Sequence, residues 1–137
     1  MGRFAEEFVV ANNADVQLAN RGMLAPEKVR RIKLRGFVDS AATYLVLPEA
    51  AAEQLGLPPA GETTVRYADQ RTARRKMAQE ARVELLGRSG TFRAVLEPDR
   101  DTALIGAIVL EDLDLLVDCT QDRLCPRDPG GIIAELD

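Results

Sequence analysis

An apolar pair, Phe37-Val38, runs directly into Asp39, and a hydroxyl and small residues follow, Ser40-Ala41-Ala42-Thr43, before a second apolar run, Tyr44-Leu45-Val46-Leu47, closes at Pro48. A carboxylate at the end of a buried strand is costly to ionise unless hydrogen bonds, a neighbouring charge or a proton relieve it. Asp39 therefore reads as a poised acid rather than a surface one. The small residues beyond it let something approach the backbone closely. The chain has no histidine, which excludes Ser-His-Asp and Cys-His catalysis as well as histidine-ligated zinc. Any acid–base chemistry falls to carboxylates.

A second segment, Ala103-Leu104-Ile105-Gly106, continues into Ala107-Ile108-Val109-Leu110-Glu111-Asp112 and reads as a buried strand, a glycine and a helix start. Glycine there lets two backbones pass where a side chain would not fit. The other carboxylates are expected in turns or on a solvated face: Asp99 and Asp101 flank a turn, Glu111, Asp112 and Asp114 sit on or near the short helix, and Asp118 lies beyond it. Their spacing is not that of a calcium loop, and no metal is expected. Cys119 and Cys125 are too few to close a four-ligand metal site and read as free thiols, with a disulfide across a hairpin as the alternative. Arg71, Arg74, Arg75 and Lys76 form a basic run suited to protecting a hairpin edge, with recognition of an acidic partner as the alternative.

The elements that must position these residues are mostly strands. Glu7-Phe8-Val9-Val10 precedes a turn-like Asn12-Asn13-Ala14-Asp15, and Ile32, Leu34, Gly36 and Val38 alternate with Lys33, Arg35 and Phe37 to make the strand that delivers Asp39. Pro48 at a first turn and Gly56 just past an Ala-rich stretch bound a short helix. Leu57-Pro58-Pro59-Ala60-Gly61 is a loop. Between Thr63 and Leu96 two patterns compete. Ala73, Met77, Ala81 and Leu85 recur every four residues as in a helix, whereas residues 76–85 alternate with period two, with exceptions at Ala78 and Gln79. Gly87-Arg88-Ser89-Gly90 then turns into another alternating run, Thr91 to Leu96, so two hairpins are preferred to one helix. Glu97-Pro98-Asp99-Arg100-Asp101 is a turn, Leu115 to Asp118 and Leu124 to Pro126 form a last hairpin, and Asp128-Pro129-Gly130-Gly131 opens a tail.

With 137 residues and no internal repeat, the chain is expected to be one domain over residues 1–127 with a loose tail over 128–137. A net charge of −4 and only 4% aromatic residues argue against nucleic acid or an anionic membrane as partner. Met1-Gly2-Arg3-Phe4-Ala5-Glu6 shows neither a signal-peptide core nor a myristoylation pattern, and no run is long enough to span a bilayer, so a cytoplasmic protein is expected.

The Asp39-Ser40-Ala41-Ala42-Thr43 loop with its Leu-Val-Leu-Pro continuation, and the later Leu104-Ile105-Gly106 with its helix, together resemble the retropepsin-like (retroviral-type) aspartic proteases in the single-domain form of bacteria. The resemblance spans about positions 28 to 127. It implies an all-β, retropepsin-like half-barrel with one or two short helices, assembled as a homodimer, no cofactor, and an aspartic endopeptidase acting on peptide substrates. On this resemblance Asp39 is the catalytic acid, paired with its copy across the dimer axis. Ser40 bonds across that axis, Ala41, Ala42 and Thr43 complete the loop, and Gly106 supports it from behind. Tyr67, Ala68, Asp69 and Gln70 fall in the flap over the substrate. Two positions depart from the family pattern: Ala41 replaces a glycine, and Tyr67 to Arg71 replace a glycine-bearing flap turn. Both departures also suit an alternative, a catalytically weak or inactive fold serving as a peptide-binding or dimerisation module.

Overall fold

The computed structural model describes residues 4–137; Met1 to Arg3, included above in the domain and in the reading of the N-terminus, lie outside the described residues. Among the described residues nine strands and three short α-helices follow one another. The strands are β1 (Ala5–Asn12), β2 (Arg31–Val38), β3 (Leu45–Pro48), β4 (Pro59–Arg66), β5 (Thr72–Leu85), β6 (Arg88–Glu97), β7 (Ala103–Ile105), β8 (Leu115–Asp118) and β9 (Arg123–Pro126). The helices are α1 (Asn13–Asn20), α2 (Glu49–Leu55) and α3 (Ala107–Asp112). Seven strands form one sheet in the order β1-β2-β7-β3-β6-β5-β4, and a further β1–β5 pairing closes six of them into a barrel, leaving β4 outside. β8 and β9 form a separate two-stranded sheet.

The alternation expected of β2 is the one observed: Gly36 and Val38 are buried, while Arg31, Lys33 and Arg35 are exposed. Inside the barrel Phe8, Val10, Val38, Leu45, Leu47, Val83, Leu85, Phe92, Leu96 and Ile105 share one core. Gly36 has a packing reason to be glycine, because a Cβ there would come within 2.7 Å of the Phe8 ring. β2 and β3 each pair in parallel with a strand from far along the chain, β7 and β6 respectively. Those crossovers bring the Asp39 loop and the Gly106 segment together.

Two hairpins, not a helix, occupy residues 59–97, and the exceptions at Ala78 and Gln79 mark a real irregularity. The β5–β6 register shifts between Ala78 and Ala81, and Glu80 adopts a φ of 64°. This bulge lets Met77 face one side of the sheet and Ala81, Val83 and Leu85 the other. α2 forms where Pro48 and Gly56 bound it, with Gly56 at φ 64° bonding back to Glu53.

Elsewhere the structure corrects the sequence reading. Asn12 to Asp15 is not a turn but the start of α1: the Asn12 side chain caps the helix by accepting from Asp15 N–H, while its Nδ2 donates to Leu55 O at 2.9 Å. Asp114 is not solvated. It is buried, adopts a φ of 56° and pairs with Arg127. The β8–β9 register sets Leu116 opposite Cys125 and leaves Cys119 beyond Asp118, and the two cysteines are not joined in a disulfide. No described helix is long and apolar enough to cross a membrane. Residues 128–137 carry no strand or helix.

Candidate active site

Asp39 follows the last residue of β2 and stays tied to the sheet, its N–H donating to Ile105 O at 3.1 Å. Its side chain organises the turn after it. Oδ1 accepts from Ala41 N–H at 3.1 Å, and the backbone carbonyl accepts from Ala42 N–H at 3.1 Å. Asp39 is half-buried, whereas Ser40, Ala41 and Thr43 are exposed.

The loop is braced from behind by the start of α3. Ala107 N–H donates to Ala42 O at 2.8 Å and Ile108 N–H to Thr43 O at 3.0 Å, so two N–H groups that a helix leaves unpaired are satisfied by the loop's own carbonyls. The approach leaves no room for a side chain at Gly106. A Cβ there would lie 2.3 Å from Tyr44 O and 2.8 Å from Ala42 O. The structure thus brings Asp39, Ala42, Thr43 and Gly106 together as one backbone-bonded unit.

Ala41 sits comfortably in this loop. Among the described residues, positive φ outside glycine occurs at Gln70, Glu80, Leu86, Asp114 and Asp122, and Ala41 is not one of them. No backbone angle closed to alanine is therefore required at this position.

A row of side chains leads to the acid across five strands. Phe37 is level with Leu104, Leu104 with Val46, Val46 with Val95, and Val95 with Met77. Residues level in register share a face, so this row is an apolar floor outside the barrel core; its buried members Val46, Val95 and Met77 pack with Tyr44, Val65 and Leu104. Asp39 stands two residues past Phe37 and one past the end of β2. Arg93 lies over the Tyr44 ring at 5.7 Å, and Arg35 over Phe37 at the same distance.

The β4–β5 hairpin projects beyond the barrel. Its turn is held by Tyr67 N–H on Arg71 O at 2.8 Å and Gln70 N–H on Tyr67 O at 2.9 Å, with Gln70 at φ 72°. Ala68, Asp69 and Gln70 are exposed at the tip, and Arg71 holds the Asp69 carboxyl below the usual carboxylate range. Tyr67 points elsewhere: its hydroxyl donates to Glu97 Oε2 at 2.6 Å, and burial, followed by that hydrogen bond and the Glu97 charge, raises its pKa. Arg75 donates to the other oxygen of Glu97 at 2.7 Å. Glu97 was legible only as the start of a turn, since nothing in the sequence links positions 22 and 30 residues apart.

Two clefts on the surface both lie away from Asp39. One separates residues 86–89 from the tail at 126–132, and the other lies between α2 and the base of the β4–β5 hairpin. Among the described residues no group of three or more acids and cysteines is placed to hold a metal ion.

A barrel of this topology, with an aspartate loop backed by a glycine and a short helix, is a retropepsin-like fold. A family model described as aspartyl protease matches residues 25–116, about two thirds of the chain. The chain belongs to the aspartyl protease family. Among solved structures, the retroviral protease-like domain of Ddi1 from Leishmania major is similar with a TM-score of 0.50 at 16% identity, covering 93% of this chain and 88% of that one. A retropepsin-like aspartic protease from Rickettsia conorii aligns at 17% identity and TM-score 0.46, covering 86% and 89% of the two chains. The Simian Foamy Virus (mac) protease aligns at 20% identity and TM-score 0.45 over 58% of this chain and 81% of its own. No curated protein matches the chain.

Proposed function

We propose that the chain is an aspartic endopeptidase that works as a homodimer, with the two Asp39 carboxylates meeting at the two-fold axis. The observation that carries this reading is the braced loop: Asp39, one residue past a barrel strand, donates its N–H to Ile105 O, and the loop after it is held by Ala107 and Ile108 N–H on Ala42 O and Thr43 O. Peptide hydrolysis of this kind needs one carboxylate to take a proton from water and a second, protonated, to donate to the scissile carbonyl. One chain supplies one such loop, so the second acid comes from a second copy, in an isologous contact. Two facing carboxylates then share a proton, because both cannot ionise cheaply at close range.

In this proposal Asp39 activates the water, Ser40 bonds to the partner loop, and Ala41, Ala42 and Thr43 receive the backbone of an extended peptide. Gly106 keeps the loop in place, and Tyr67 to Gln70 form the flap. The exposure of Ser40 and the open surface around Asp39 on a single chain support completion by a partner. The catalytic unit is residues 1–127, with 128–137 as a tail. No cofactor takes part.

A second reading, a peptide-binding or dimerisation module without turnover, rests on the exposed methyl of Ala41 where the family has glycine. A peptide-cleavage assay between about pH 3 and pH 7 separates the two. Cleavage by the parent chain and its loss in Asp39→Asn support the protease. Peptide binding that is equal in both, with no product from either or from Ala41→Gly, supports the module.

A further inference from the structure

The outer half of the β4–β5 hairpin is a two-stranded ribbon with little to hold it. β5 reaches β6 only from Met77 onward, so Thr72 to Lys76 pair with β4 alone, and β4 is the last strand of the sheet. Ribbons of two strands are marginal by themselves. Apolar contact helps, since Val65 packs on the Val46, Met77 and Val95 floor. Such contact is non-directional and does not fix how far the ribbon stands off the barrel.

Direction comes from one carboxylate. Glu97, the last residue of β6, receives the Tyr67 hydroxyl on Oε2 at 2.6 Å and the Arg75 Nε–H on Oε1 at 2.7 Å. Tyr67 belongs to the turn of the ribbon and Arg75 to its second strand, so both arms converge on a single barrel side chain. The Glu97 side chain is only 14% exposed and that of Arg75 27%, which places this pair out of full solvent screening. Arg71 completes the cluster, its guanidinium 5.0 Å from the centre of the Tyr67 ring, with Arg75 at 5.9 Å. The other side-chain bonds described for residues 62–76 stay within the ribbon: Arg74 with Thr64 and Glu62, and Arg71 with Asp69.

We infer that Glu97 is a positioning residue that clamps the flap onto the barrel, so that entry of a peptide requires Tyr67 and Arg75 to leave it. The proposal rests on the proteolytic reading for its consequence, and on the geometry alone for the clamp. Tyr67 is then committed to the barrel in the free protein and does not contact substrate until the clamp opens.

The clamp is tested by a distance measurement between spin labels at Ala68→Cys on the flap tip and Thr91→Cys on β6, with Cys119 and Cys125 changed to serine. With labelled chains diluted into an excess of unlabelled ones, so that the distance within one chain is read, the expected result is one narrow distance in the parent, a broad and longer distribution in Glu97→Ala, and intermediate ones in Tyr67→Phe and Arg75→Met. The last two keep the barrel residue, so a folding failure of Glu97→Ala leaves the test intact. Glu97→Gln, which retains an acceptor for Tyr67 but not the ion pair, should fall between parent and Glu97→Ala. In a Tyr44→Phe background, which leaves Tyr67 as the chain's one tyrosine, the phenol should ionise at lower pH in Glu97→Gln than in the parent. A distribution in Glu97→Ala, Tyr67→Phe and Arg75→Met as narrow as in the parent overturns the clamp. Peptide cleavage by the same proteins keeps the two readings apart. Cleavage with unchanged distances sinks the clamp alone, whereas altered distances with no cleavage by any protein sink the protease and leave the clamp standing.

Discussion

Two positions of the Asp39 loop carry opposite demands, one chemical and one steric. At Asp39 the side chain both organises its own turn, through the bond from Ala41 N–H, and supplies the proposed acid. Asparagine keeps an oxygen for that bond but cannot take a proton from water. Asp39→Asn is therefore expected to lower kcat by about a thousandfold or more while leaving the thermal midpoint nearly unchanged, as read by peptide cleavage and calorimetry on the same sample. At Ala41 the backbone is unstrained, so the methyl acts only on what lies in front of it. Removing it in Ala41→Gly is expected to raise kcat/KM about tenfold by letting the peptide backbone settle closer, because displacements near 1 Å at a reacting centre cost on the order of a hundredfold. The same change makes the loop more flexible when unfolded, so a small loss of stability accompanies the gain.

Between elements, the bracing of the loop by α3 is the contact with least tolerance. A methyl at Gly106 would meet three backbone atoms rather than a side-chain tip that can turn aside. Gly106→Ala should cost about 1–3 kcal/mol in urea unfolding and should also lower activity, since the loop must shift to make room. A second tie joins α1 to the chain entering β2. Arg30 donates to both oxygens of the buried Asp15 carboxylate, at 2.8 and 3.0 Å, and its backbone N–H donates as well. The Arg30 side-chain bonds, against the opposing effect of burial, hold Asp15 below the usual carboxylate range. A carboxylate whose pKa is lower folded than unfolded adds stability above its unfolded pKa and loses it as pH falls through the folded one. This contribution is thus complete above about pH 5 and drains away below about pH 4. Asp15→Asn should cost about 1–2 kcal/mol at pH 7 and progressively less at pH 3, as measured by denaturant midpoints at the two values. Were the acid limb of the stability curve identical in parent and variant, the tie would be idle.

For the molecule as a whole, the proposal of a shared site makes activity depend on association. Specific activity should fall on dilution in parallel with the dimer fraction seen by sedimentation, and equal mixing of parent with Asp39→Asn should reduce it by more than half, because mixed dimers lack one acid. Much of this architecture was legible in the chain. Alternation gave β2 and Pro48 and Gly56 bounded α2, whereas Ala78 and Gln79 stood out only as exceptions to the alternation and the bulge between Ala78 and Ala81 was not foreseen. What stayed hidden depends on partners distant in sequence. Asn12 caps a helix while bonding Leu55, Asp114 is buried because Arg127 returns to it, and Glu97 meets the flap only once β6 lies beside β5. The bulge has one more consequence. β5 is a single uninterrupted backbone that serves as barrel wall over its later residues and as flap arm over its earlier ones, with the surplus residue at the joint. Deleting Gln79 would match the two residues from Ala94 to Phe92 with two on β5, so Met77 and Ala81 would keep opposite faces by plain alternation while the joint lost its surplus residue and its bend. A lone codon at this joint therefore sets the angle at which lid leaves wall, and not which side of either meets the core.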